Sequence, residues 1–133
     1  MKSKPIIIVA GEPNSIFFEI YFKALKVGRY KSPLILICCK KKLEQEMVKF
    51  KFKKKIRVLK ISDLKNYQID NKKINLVNVN FIKSSNIKKN QKMVVKYIKD
   101  SFNIAFQLIK NGFSYKLING PINKESFLNK KFL

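Results

Sequence analysis

Short, wholly apolar runs set between amphipathic stretches are the feature that most limits how this chain can fold. Residues 6–10 read Ile-Ile-Ile-Val-Ala and residues 34–38 read Leu-Ile-Leu-Ile-Cys. An apolar run of that length without alternation marks a strand buried on both faces, which is the condition of a strand inside a parallel sheet. Between the two runs, Ile16, Ile20 and Ala24, with Phe17, Tyr21 and Leu25 beside them, recur at the i, i+4 spacing of a helix face. Parallel neighbours require a crossover, usually a helix. The pattern therefore predicts an α/β domain with a largely parallel sheet and helices on both faces.

The same rhythm continues along the chain. Pro13 and Asn14 open the first helix, with Asn14 or Ser15 as its cap, and Gly28 closes it. Residues 40–50 predict a charged helix with Leu43, Met47 and Phe50 on one face. Residues 56–61 predict a third strand, and 62–73 a loop or a short turn of helix. Residues 74–81 alternate, with one phase slip, as a strand with one wetter face does. The longest helix is expected over 90–110, with Val94, Ile98, Phe102 or Ser101, Ala105, Leu108 and Ile109 as its stripe and Asn111 and Gly112 at its end. Residues 115–119 predict another buried strand, and 124–129 the start of a further helix. No repeat or linker divides the 133 residues, so the chain reads as one domain.

Lysine and arginine number 30 against 8 acidic residues, a net charge of +22. Such a balance suits a nucleic-acid or anionic-surface binder, because clustered cations gain affinity by releasing counterions. Its distribution argues for codon composition instead. Lysine, asparagine and isoleucine, the residues of A/T-rich codons, are all abundant, and only Arg29 and Arg57 are arginines. The lysines are spread along the chain, with local runs at Lys40-Lys41-Lys42 and Lys53-Lys54-Lys55. No nucleic-acid partner is expected, a small basic α/β module for nucleic acid or anionic surfaces being the alternative. The charge would also steer anionic substrates. Adjacent Cys38 and Cys39 have the wrong spacing for zinc and read as reduced thiols in a strand. Histidine is absent, which removes His-based metal sites and Ser–His or Cys–His pairs from this chain. No apolar run is long enough to span a bilayer, and the first is interrupted by Glu12 and Pro13, so a cytoplasmic protein without a membrane partner is expected.

Two turns carry the candidate chemistry. Gly11-Glu12-Pro13 leaves the first strand, its glycine permitting a sharp exit and its proline suiting a first helical turn. Glu12 is thereby placed at the strand–helix junction, on the edge where such sheets bind ligands. The glycine spacing fits neither a dinucleotide fingerprint nor a phosphate loop. Leu117-Ile118-Asn119-Gly120-Pro121-Ile122-Asn123-Lys124 forms the second, where Gly120 allows a close backbone approach and Asn123 and Lys124 could bind a phosphate or carboxylate. Glu12, Gly120, Asn123 and Lys124 are the substrate-edge candidates.

Together these segments resemble the 4-hydroxythreonine-4-phosphate dehydrogenase family. Gly11-Glu12-Pro13, followed by Ile16 and Glu19-Ile20, is similar to its opening, and the later segment to its Gly-Pro-Val/Ile-His/Asn-Lys element. The resemblance implies an α/β/α fold like that of isocitrate and isopropylmalate dehydrogenases, incomplete in this chain, and a homodimer with its site at the subunit interface. It implies oxidation of 4-phosphooxy-L-threonine by NAD, followed by decarboxylation, on the route to pyridoxal phosphate, with a divalent metal (Zn, Mg or Co) held by histidines. Where the family has small residues after its first turn, this chain has Ser15, Phe17 and Phe18. The family's Gly-His-Thr-Glu/Asp segment and metal-binding histidines would follow Leu133. The expectation is accordingly an amino-terminal portion, inactive alone, with no catalytic, cofactor-binding or metal-binding residue of its own.

Overall fold

Alternate residues of the first apolar run face opposite ways, and both faces are dry. The computed structural model describes residues 4–123. Its elements are β1 (Ile6–Val9), α1 (Phe17–Val27), β2 (Leu34–Cys38), α2 (Lys40–Lys49), β3 (Ile56–Val58), a 3-10 turn (Ile61–Asn66), β4 (Ile74–Asn78), α3 (Ile87–Lys110) and β5 (Lys116–Asn119). The strands form one sheet in the order β3-β4-β2-β1-β5, every neighbouring pair parallel. Ile7, Val9, Ile35, Ile37 and Val77 face α3 and the 3-10 turn, packing with Tyr97, Ile98, Ala105, Leu108 and Leu64. Ile8, Ala10, Leu36, Cys38, Ile74 and Leu76 face α1 and α2, packing with Phe18, Tyr21, Phe22 and Leu43. The expected α/β architecture, helices on both faces included, is what the chain adopts.

The topology explains which helix lies on which face. Connections leaving β1 and β2 run towards the β3 edge and lay α1 and α2 on one side. Those leaving β3 and β4 run the other way and lay the 3-10 turn and α3 on the opposite side. Crossovers of a single hand produce this division.

Several local expectations are corrected. In α1 the buried residues are Phe17, Phe18, Tyr21 and Phe22, whereas Ile16 and Ile20 are 62% and 56% exposed. The aromatic rings win the inner face because each can bury 150 Å² or more, roughly. Phe22 stacks on Phe52 with ring centroids 4.6 Å apart. The cap position is Ile16, and Ser15 instead accepts the Phe17 N–H through its hydroxyl at 3.3 Å. The third strand stops at Val58, because Leu59 turns into the core and the chain then enters the 3-10 turn.

Ile74, Asn75, Leu76 and Val77 are all buried, so β4 has no wetter face; it lies between β2 and β3 with helical structure on each side. Asn75 is accommodated by donating from Nδ2 to Asp70 O at 2.6 Å and Leu34 O at 3.3 Å. Helix α3 starts earlier than expected, because the Asn86 side chain caps it by accepting from Lys89 N at 2.9 Å. β5 is largely exposed rather than buried, since among the described residues it pairs with β1 alone. The helix expected over 124–129 lies outside the described residues.

Candidate functional site

The two glycine–proline turns emerge side by side at the carboxyl edge, because β1 and β5 are parallel neighbours in register, Val9 opposite Asn119. Gly120 N donates to Val9 O at 2.7 Å, carrying the strand pairing one residue further. Gly11 has φ +83°. A Cβ on it would sit 2.5 Å from Pro121 O and 2.9 Å from Gly120 C and O. A Cβ on Gly120 would in turn run into Ala10 O and stand 2.8 Å from Phe17 Cδ1. The close approach that Gly120 permits is therefore to the first turn of the chain itself. Neither side chain could be added without moving backbone.

Glu12 joins the turns by two hydrogen bonds. Its backbone N–H donates to Pro121 O at 2.8 Å, and its carboxylate Oε1 accepts from Asn123 N at 3.0 Å. Asn119 Nδ2 donates to Gly120 O at 2.9 Å. Thus Glu12, Gly120 and Asn123, three of the four candidates, form one interlocked unit. Lys124 lies outside the described residues.

This unit walls one side of a cavity of about 390 Å³. Glu12, Pro13, Asn14, Ser15 and Asn123 line that side, and the first half of α3 lines the other with Asn90, Gln91, Val94, Val95 and Ile98. Among the described residues the polar lining offers amides, one hydroxyl and one carboxylate, and no lysine or arginine. Asn14 Oδ1 accepts from Lys42 Nζ at 3.0 Å, which sets a cation just behind the wall. Asn90 is oriented by the loop before α3, its Oδ1 accepting from Ser84 N at 2.9 Å. Sequence patterning missed the α3 contribution, because Asn90 and Gln91 carry no motif; their place at the start of a helix aimed at the carboxyl edge was the available signal.

A second corner of the same edge lies where β2 and β4 send their connections to opposite faces. Cys39 N donates to Tyr97 OH at 2.9 Å and Lys40 N to Asn78 Oδ1 at 2.8 Å, so the start of α2 is tied to both α3 and β4. Both cysteines are free and buried. Burial, reinforced by Cys39, pushes the Cys38 thiol well above its ordinary range. Burial first and Cys38 second do the same to the Tyr97 phenol, against the lowering hydrogen bond from Cys39. A thiol held protonated is a packing group, not a nucleophile.

Among the described residues no three His, Cys, Asp or Glu side chains are grouped as a metal site would need. Nor do Gly11 and Gly120 form an open phosphate cradle, because each is filled by the other turn's backbone. The described residues thus hold no metal-ligand cluster, and the two glycine turns offer no room for a pyrophosphate. No helix among them is long and apolar enough to cross a membrane.

No family model and no curated protein sequence matches the chain. Solved structures do. A Salmonella typhimurium protein assigned as a 4-hydroxythreonine-4-phosphate dehydrogenase superposes with a TM-score of 0.74 at 20% identity, over 96% of this chain and 40% of its own. The 4-hydroxythreonine-4-phosphate dehydrogenase of Burkholderia phymatum gives 0.73 at 18% identity, over 96% and 39%. That of Klebsiella pneumoniae gives 0.69 at 18%, over 97% and 40%. The chain thus spans about two-fifths of the length of these structures, and over that span it has the fold of these dehydrogenases.

Proposed function

We propose that this chain supplies the amino-terminal part of an NAD-dependent dehydrogenase acting on 4-phosphooxy-L-threonine in pyridoxal phosphate biosynthesis, as one continuous α/β unit over residues 1–133. The observation that carries the reading is the contact between the two motif turns. Segments singled out in sequence for separate reasons meet backbone to backbone and border one cavity. The likeness of fold supports it, since the solved structures that superpose over nearly the whole chain carry that enzyme's name.

Within this reading the chain's own residues bind and orient. Lys124, next in sequence after Asn123, is the cation assigned to the substrate's phosphate or carboxylate, and the amides of Asn14 and Asn90 are assigned to its hydroxyl-bearing part. NAD and a divalent metal ion belong to the same proposal, supplying hydride acceptance and Lewis acidity. No metal-ligand cluster lies among the residues described, which in this reading bind and orient the substrate. A cytoplasmic homodimer completes it. The +22 charge then acts by attracting an anionic substrate rather than by holding nucleic acid.

Calorimetric titration of the chain with 4-phosphooxy-L-threonine and with unphosphorylated threonine tests this. The phosphorylated compound is expected to bind about tenfold tighter or more, and Lys124→Gln to abolish the difference, because a charge-assisted phosphate contact is lost. Equal affinity for both, or no binding of either at millimolar concentration, would refute the reading.

A further inference from the structure

We infer that Glu12 is a positioning residue: it acts by locking the second glycine–proline turn, and so sets where Asn123 stands in the cavity wall. The inference rests on the functional reading above for its consequence, and on geometry alone for the lock itself. Glu12 grips the second turn at two points, through its N–H on Pro121 O at 2.8 Å and its carboxylate Oε1 on Asn123 N at 3.0 Å. The two bonds bracket Pro121, Ile122 and Asn123 from both ends. Upstream, the turn is fixed by Gly120 N on Val9 O at 2.7 Å, a bond that extends the strand pairing and lies three residues before Asn123.

Electrostatics argue the same way. A carboxylate pointed at a phosphorylated substrate would repel it, whereas one spent on a backbone N–H is a strong, oriented acceptor. The side chain placed at the ligand edge by sequence thereby spends its Oε1 on the protein's own backbone.

Amide hydrogen exchange on the isotopically labelled full chain reads the lock directly. Glu12→Ala should speed exchange at the Asn123 amide by about tenfold, the scale of one lost charge-assisted bond. Glu12→Gln, which keeps an acceptor oxygen, should restore most of the protection. Ile98 and Leu108, buried in α3, should be unaffected in both, which separates local release from unfolding. In parallel, 4-phosphooxy-L-threonine should bind Glu12→Ala several-fold more weakly than the parent and Glu12→Gln nearly as well. Unchanged exchange at Asn123 in Glu12→Ala overturns the lock. Faster exchange with unchanged substrate affinity overturns the positioning role. If the parent chain binds no substrate, the functional reading and the positioning role fail together, while the exchange result still judges the lock by itself.

Discussion

Three glycine-to-alanine substitutions separate backbone conformation from backbone contact. Gly112 and Gly11 both have positive φ, +76° and +83°. Nothing lies within 4 Å of a Cβ built on Gly112, so Gly112→Ala carries only the left-handed penalty, about 1–2 kcal/mol. Gly11→Ala carries that penalty plus a Cβ 2.5 Å from Pro121 O, a backbone atom that cannot swing aside. With an overpacking cost of similar size added, the total is about 3 kcal/mol. Gly120→Ala collides with Ala10 O and crowds Phe17, and should cost about 4 kcal/mol. A domain of 133 residues is stable by roughly 7–20 kcal/mol, so each variant should still fold in the cold.

The double variant is the sharper test. Once Gly120→Ala has pushed the turns apart, Pro121 O no longer confronts position 11, so Gly11→Ala should cost less than it does alone. The expected coupling is about 1 kcal/mol or more in that direction. Urea unfolding followed by far-ultraviolet circular dichroism, at constant m-value, measures all four variants. If Gly11→Ala is no more costly than Gly112→Ala, or if the double variant is additive within about 0.5 kcal/mol, the turns do not bear on each other as described.

The corrected inner face of α1 predicts that Phe22→Ala costs about 3–5 kcal/mol in the same urea assay, since Phe22 is buried and stacked on Phe52, while Ile20→Ala stays within about 0.5 kcal/mol. A reversal of that order would return the helix to the phase read from its isoleucines. The buried Cys38, Tyr21 and Tyr97 each have a pKa raised by desolvation, so the unfolded chain loses these protons at lower pH than the folded one. Their neutral burial contributes in full below about pH 8.5, the ordinary thiol value, and stability should fall progressively as pH rises above it. Urea midpoints across that alkaline range check the sign, and a thiol reagent should modify neither cysteine of the folded chain near neutral pH while labelling both on unfolding.

How much of this was legible follows from which physical signal dominates at each position. The double-sided burial of β1 and β2 was readable because a buried parallel strand has no polar face to disguise it. The phase of α1 was misread because Ile16, Ile20 and Ala24 offer a regular repeat, and ring area decided against it. The wetter face expected over residues 74–81 is absent from β4 because the burial of Asn75 depends on Asp70 O and Leu34 O, acceptors supplied from outside its own strand. At the site, both turns could be found from their glycines and prolines. Their contact could not, because it depends on β5 pairing with β1 after the long excursion through α3.

The biased composition bears on why so few positions suffice to hold this fold. Few lysines make tertiary contacts, Lys4 to Gly112 O and Lys42 to Asn14 among them, and the salt bridges among the described residues all join side chains four apart within a helix. The three exposed pairs, all but the largely covered Lys42–Glu46, contribute about 0.3–0.5 kcal/mol each. Asparagine, equally favoured by such a composition, does structural duty instead. Asn71 accepts from Leu34 N at 2.8 Å and donates to Ser32 O at 2.8 Å, tying β2 at the amino edge. Asn78 caps α2, Asn86 caps α3, and Asn90 holds the loop at Ser84. One amide both donates and accepts, so it can serve strand edges and helix starts that other sequences would satisfy differently. Composition can therefore shift far while the sheet keeps its apolar faces and its edges keep their hydrogen bonds. The exceptions are the places where no side chain fits at all. Gly11 and Gly120 lie where two backbones touch, and no drift in codon usage offers an alternative there.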